Sequence, residues 1–124
     1  MILDSAFLID LMAADPGAVA KMDELDREQL TVPTVVYTEV GVGFDAGSSQ
    51  EERFESTIAD VTLAPYDGEA ARRAVDLQRH LYESGEPVGA VDAMIAGTAL
   101  ARDERVLTRN VEEFARTPVG VSPY

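Results

Sequence analysis

Apolar positions along this chain come in short runs, separated by stretches with helical spacing. Residues 1–3 form an apolar run that fits a buried strand. Ala6, Phe7, Leu8, Leu11 and Met12 then continue at helical spacing, with Ser5 the expected N-cap. Asp15-Pro16-Gly17 breaks the chain, and Pro16 suits the first turn of a new helix striped by Val19, Met22 and Leu25. Residues 30–33 read as a second strand closed by Pro33. In 34–44, Val36, Val40 and Phe44 recur four apart behind a capping Thr34, so a helix is expected there despite the β-formers. Gly41 and Gly43 weaken that helix, and their expected use is close packing against a neighbour. A loop at 46–49, with Ser48 or Ser49 as cap, leads to a helix lined by Phe54 and Ile58. Residues 61–65 read as a third strand. A long helix follows from 67 to about 83, with Ala70, Ala74, Leu77 and Leu81 inward and Gly85 ending it. Residues 87–101 predict an almost wholly buried helix, 105–108 a fourth strand, 111–116 a short helix and 119–121 a terminal strand.

Strands that alternate with helices pair in parallel through crossovers. The expected fold is a three-layer α/β/α sandwich with a short, mostly parallel central sheet. The 124 residues suit one domain, 1–124, with a real core.

Charge changes the picture at three places. Asp4, Glu39 and Asp92 are each the only charge in an apolar segment, at 1–9, 32–44 and 87–101 respectively. The other acids are mostly clustered or beside a basic residue. Burying a lone carboxylate costs several kcal/mol in effective terms, roughly, unless the charge is met. It can capture a distant Lys or Arg, take up a proton, or share a cation with other carboxylates. Three isolated acids exceed the need of one ion pair, so a shared cation is expected. With no cysteine and one histidine, His80, the donors are oxygens, which favours Mg²⁺ or Mn²⁺. Asn110 could add a neutral oxygen or hold a metal-bound water, or simply cap the 111–116 helix.

The overall balance is acidic, with 23 Asp and Glu against 10 basic residues and a net charge of −13. Lys21 is the only lysine. Such a surface suits concentrated salt, where the Debye length is about 3 Å at 1 M, so a halophilic source is expected. It argues against broad nonspecific nucleic-acid binding at low salt. No basic leader and no membrane-length apolar run is present, so a cytoplasmic protein with no membrane contact is expected. Mg²⁺ on carboxylates with open positions serves phosphate chemistry. No Gly-Lys-Ser/Thr phosphate loop is present, so a phosphate ester reached from outside, such as a nucleic-acid backbone, fits better than a nucleotide cradle.

Four stretches together resemble the PIN-domain ribonucleases of the VapC toxin type. They are Met-Ile-Leu-Asp-Ser at 1–5, Tyr-Thr-Glu-Val at 37–40, Val-Asp-Ala-Met-Ile-Ala-Gly-Thr-Ala-Leu at 91–100 and Val-Leu-Thr-Arg-Asn-Val-Glu-Glu-Phe at 106–114. The resemblance spans the chain in the family's order. It implies a metal-dependent endoribonuclease acting on RNA, with Asp4, Glu39 and Asp92 as the acidic site and Asn110 beside them. It also implies a homodimer held in check by a small cognate antitoxin. Two positions depart from the pattern: Ala6 stands where the family has Asn or Ser, and Asn110 where it often has Asp. Glu112 or Glu113 is a candidate to compensate. Ser5 matches the family's hydroxyl. For RNA contact the candidates are Arg109, with Ser5 and Thr108, ahead of Arg116, Arg72 and Arg73, which read as solvated helix residues. Two other classes stand beside this one. A receiver-like phosphoacceptor module also places acids at strand ends, but it needs a lysine near the last strand. A PIN-fold RNA-binding scaffold without activity is the other.

Overall fold

The computed structural model describes all 124 residues. Five short strands form one all-parallel sheet in the order β3-β2-β1-β4-β5. In chain order the elements are β1 (Ile2–Leu3), α1 (Ser5–Met12), α2 (Pro16–Glu24), a 3-10 turn (Arg27–Gln29) and β2 (Thr31–Pro33). There follow α3 (Thr34–Gly41), α4 (Ser49–Ile58), β3 (Thr62–Ala64), α5 (Gly68–Glu83) and α6 (Ala90–Arg102). β4 (Val106–Leu107), α7 (Val111–Ala115) and β5 (Val121–Ser122) complete the chain. The chain steps outward from β1 to β2 and β3, then crosses back to β4 and out to β5. Crossovers that run in the two directions from β1 put helices on both faces, giving the α/β/α sandwich.

The central strands are apolar throughout because both their faces are covered. Ile2, Leu3, Val106 and Leu107 are wholly buried, and Ile2 pairs with Thr31 on one side and Val106 on the other. Phe7, Val36, Phe54, Ile95 and Phe114 pack around them in one core of 23 residues. No helix is long and apolar enough to cross a membrane.

Several local expectations need correction. The N-cap of α1 is Asp4, not Ser5. Thr34 does not cap α3; its hydroxyl accepts from the Tyr66 N–H at 3.0 Å and ties the start of α3 to the end of β3. α3 stops at Gly41, three residues early. Its glycines are not close-packing positions either: a Cβ on Gly41 would find Phe54 at an ordinary 4.0 Å, and one on Gly43 would meet only its own turn. The close approach is at Gly97, where a Cβ would lie 2.5 Å from the Ala70 carbonyl oxygen and 2.8 Å from the Ala74 Cβ. Backbone-distance packing of α6 on α5 is therefore written as Gly97 against Ala70 and Ala74.

That contact sets where the first turn of α6 sits. Gly97→Ala should cost about 1–3 kcal/mol through overpacking against backbone that cannot yield. Urea unfolding measures it, and an unchanged midpoint contradicts the packing described.

Candidate active site

Where the strand order reverses, the loops after β1 and β4 part and leave a crevice at the carboxyl end of the sheet. Asp4 ends β1 and Thr108 ends β4. Asp4 is 2% exposed, and both its oxygens are held. Thr108 Oγ1 donates to Oδ2 at 2.6 Å, and the Ser5 N–H donates to Oδ1 at 2.7 Å. The Asn110 N–H donates to the same Thr108 hydroxyl at 2.9 Å, so the single Thr108 proton is directed at Asp4. Burial pushes the Asp4 carboxyl above its ordinary value; the two hydrogen bonds oppose that, and the charges of Glu39 and Glu113 add to it.

Asp92 lies in the first turn of α6, half-buried, facing the same crevice. Burial, a hydrogen bond shared with Glu113, and the charges of Glu113, Asp4 and Glu39 push it up to about 7. Glu113 comes from α7, and its Oε1 also accepts from the Gly89 N–H, the N-cap of α6, at 3.3 Å. So the crevice gathers Asp4, Asp92 and Glu113, with the charge of Glu39 felt by both aspartates. None of the four forms an ion pair with Lys or Arg. No three of them are close enough to make a ready-formed metal cage. Ser5 Oγ is buried beside Asp4 with no hydrogen-bond partner at all, a state that costs about 1–3 kcal/mol.

Asp4 and Asp92 thus come together as the sequence suggests. Glu39 differs in burial: it is exposed on α3, whose buried residues are Val36 and Val40, yet its charge reaches both aspartates. Asn110 occupies the N-cap position of α7, but its side chain makes no capping bond and is exposed. Arg109 does not stand free. Its Nη1 donates to both Asp10 oxygens at 3.0 Å. Of the pair 112 and 113, Glu113 is the one in the site; Glu112 faces solvent. Its membership was hard to read because it sits in a Glu-Glu pair on a helix with solvated charges. The signal that could have found it is its spacing from Asn110, three residues on and so on the same helical face.

The strand order differs from the 2-1-3-4-5 order of receiver-type folds, which removes that class. The sequence pattern of the PIN domain matches residues 1–120, so the protein belongs to the PIN-domain family. Within it the chain groups with the VapC ribonucleases. It is 31% identical over 120 residues to ribonuclease VapC5 of Mycobacterium tuberculosis, covering 92% of this chain and 84% of that one. It is 27% identical over 117 residues to the tRNA(fMet)-specific endonuclease VapC of Shigella flexneri, covering 92% and 89%. The toxin–antitoxin complex VapBC of Salmonella typhimurium, solved bound to DNA, contains a chain that superposes with a TM-score of 0.85 at 28% identity, covering 98% and 96%.

The site makes a prediction for the metal-free protein. An unfolded aspartate titrates near 3.9, roughly, whereas folded Asp92 holds its proton to about 7. The stabilisation from that proton is complete below the unfolded value and is lost as pH rises through 7. In chelator, Asp92→Asn should therefore melt a few degrees above the unaltered protein at pH 8, and the gap should close towards pH 4. Calorimetric scans at the two pH values check this.

Proposed function

We propose that this chain, residues 1–124, is one nuclease domain: an endoribonuclease that uses Mg²⁺ or Mn²⁺ and forms the toxin half of a toxin–antitoxin pair. The observation that carries the proposal is the buried Asp4 carboxylate, held by two donors beside further carboxylates, with no basic side chain to meet the charge. The donor set fits a hard divalent cation. All its members are oxygens, burial and then mutual repulsion raise Asp4 and Asp92, and the Ser5 hydroxyl is a buried polar group left without a partner. Asp4, Asp92 and Glu113 would hold the ion, with Glu39 at the exposed rim and Asn110 within reach of its waters. Once bound, such an ion polarises a phosphate and lowers the pKa of a water at neutral pH.

The chain's own residues supply the rest. Thr108 commits its proton to Asp4 and so keeps that carboxylate oriented and in its acceptor form. The Asp92–Glu113 pair holds a proton that must leave when a cation arrives, which couples occupancy to pH. Ser5 and Arg109 border the site and would contact the RNA. Ala6 offers no polar atom, and Glu113 makes up the acidic set that Asn110 leaves short. The names of the VapC relatives support ribonuclease activity. The VapBC complexes support a protein antitoxin, and a homodimer is part of the proposal. An apolar groove of about 330 Å³ beside Glu39, bordered by Ile9, Met12, Val40 and Phe44, offers such a partner a seat. The acidic, lysine-poor surface supports work in concentrated salt.

Asp4→Asn and Asp92→Asn should each reduce RNA cleavage by about two orders of magnitude or more while the fold is kept. Glu113→Gln should reduce it less and raise the Mn²⁺ concentration needed. A gel assay on single-stranded RNA with metal titration measures both. Undiminished cleavage by carefully purified Asp4→Asn protein sinks the assignment.

A further inference from the structure

A groove of about 460 Å³ opens beside the acidic crevice, lined by Arg109, Asn110, Val111, Glu112, Glu113 and Arg116. Glu113 joins the two, since its carboxylate faces Asp92. The arginines are the only cations lining the groove, and each is held so that donors remain free. Arg109 is braced through Nη1 alone, by both oxygens of Asp10 at 3.0 Å. Asp10 is itself fixed, accepting from the Tyr124 hydroxyl at 2.6 Å, while the Tyr124 ring stands edge-on to the buried Phe7 at 5.0 Å. The Asp10 side chain is 15% exposed and that of Arg109 56%, so the brace is sheltered and the guanidinium is open. Nη2 and Nε of Arg109 make no bond within the protein. Arg116 reaches only the Pro87 carbonyl, at 3.5 Å, a contact too long to engage it firmly.

What sets Arg109 and Arg116 apart is their place, because Arg27, Arg73, Arg102 and Arg105 bond to Asp60, Glu69, Glu104 and β5 elsewhere and none of them lines this groove. In a chain of net charge −13, open guanidinium groups bordering a groove at the mouth of a carboxylate crevice suit an anion. We propose that this groove seats the nucleotide of a single-stranded RNA that neighbours the scissile phosphate. Arg109 and Arg116 take its phosphate, and the amide of Asn110 and carboxylate of Glu112 meet the edge of its unpaired base. The proposal rests on the ribonuclease reading above and names where the strand runs. The groove has the volume of a small-ligand site, roughly 300–1,000 Å³. Guanidinium is the group that grips phosphate oxygens in a fixed geometry, and amide and carboxylate groups read base edges. Asp10 and Tyr124 are positioning residues, acting on RNA only through Arg109.

The test is the binding of a fluorescently labelled single-stranded RNA oligonucleotide to Asp92→Asn protein, followed by anisotropy across a salt series. Adding Arg116→Ala, at an exposed position that leaves the core intact, should weaken binding about 3–10-fold and flatten the dependence of log K on log salt by about 0.7, one phosphate contact on a single strand. Asp10→Asn, which frees Arg109 to wander, should weaken binding without that loss of slope, because the charge remains. Tyr124→Phe should act in the same direction more mildly, and Arg79→Ala should change nothing. In the cleaving protein, Glu112→Gln should redistribute the cleavage sites. An unchanged slope in both Arg116→Ala and Arg109→Ala overturns the groove. If the unaltered protein cleaves RNA in that case, the strand runs elsewhere and the ribonuclease reading stands. If Arg116-dependent binding is found but no cleavage under any metal condition, the groove stands and the ribonuclease reading falls. Absence of both binding and cleavage overturns both.

Discussion

Everything in the site depends on the short hydrogen bond from the Thr108 hydroxyl to the Asp4 carboxylate, 2.6 Å long and buried. It joins the ends of the two central strands at the point where the sheet's order reverses. The main chain alone would leave a gap there, because β1 and β4 are neighbours whose following helices depart separately. Thr108 fills it by donating to Asp4 while accepting the Asn110 N–H, so one hydroxyl sets the turn into α7 as well as the rotamer of the acid. The turn into α7 then carries Glu113 against Asp92. The packing of Gly97 on Ala70 and Ala74 fixes the other wall, because α6 carries Asp92 in its first turn.

A site built this way is under electrostatic stress. Asp92 and Glu113, carboxylates from separate elements, come close enough together with burial to push Asp92 up to about 7, and a third carboxylate, Asp4, lies nearby in a buried position. The stress has two exits, a proton or a cation, and the pH dependence of the metal-free protein follows from the first. The unpartnered Ser5 hydroxyl points to the second, because a proton on Asp92 does nothing for it. The destabilisation is local and sits on a well-packed core, where Ile2, Leu3, Phe7 and Ile95 are wholly buried.

Much of this was legible in the sequence because strand and helix patterns alternate cleanly and the helices mostly carry good caps. The lone-charge criterion found Asp4 and Asp92, since an apolar run around an acid reports burial when the run covers the whole element. It overstated the burial of Glu39, which is exposed. An apolar run on a helix can still end at an edge open to solvent, and Glu39 lies at the border of the face that buries Val36 and Val40, exposed yet near enough for its charge to reach both aspartates. The same criterion passes over Glu113, which follows another glutamate, and Asp10 does stand alone between Ile9 and Leu11, but its charge is met by Arg109 and not by the site. Arg109 was legible as a residue near the site but not its bond to Asp10, 99 positions away. Caps were misassigned where a better use existed: Ser5 lost the α1 cap to Asp4, and Thr34 spends its hydroxyl on Tyr66. These are tertiary hydrogen bonds, and local pattern carries no information about them.

The most direct measurement is the number of protons released when Mn²⁺ binds. Calorimetric titration at pH 7 in two buffers of different ionisation enthalpy counts them. The expected result is release of about half to one proton per ion at pH 7, falling towards zero near pH 9 and removed by Asp92→Asn. Binding with no proton release at pH 7, or no Mn²⁺ binding at all, contradicts a crevice in which proton and cation compete for the same carboxylates.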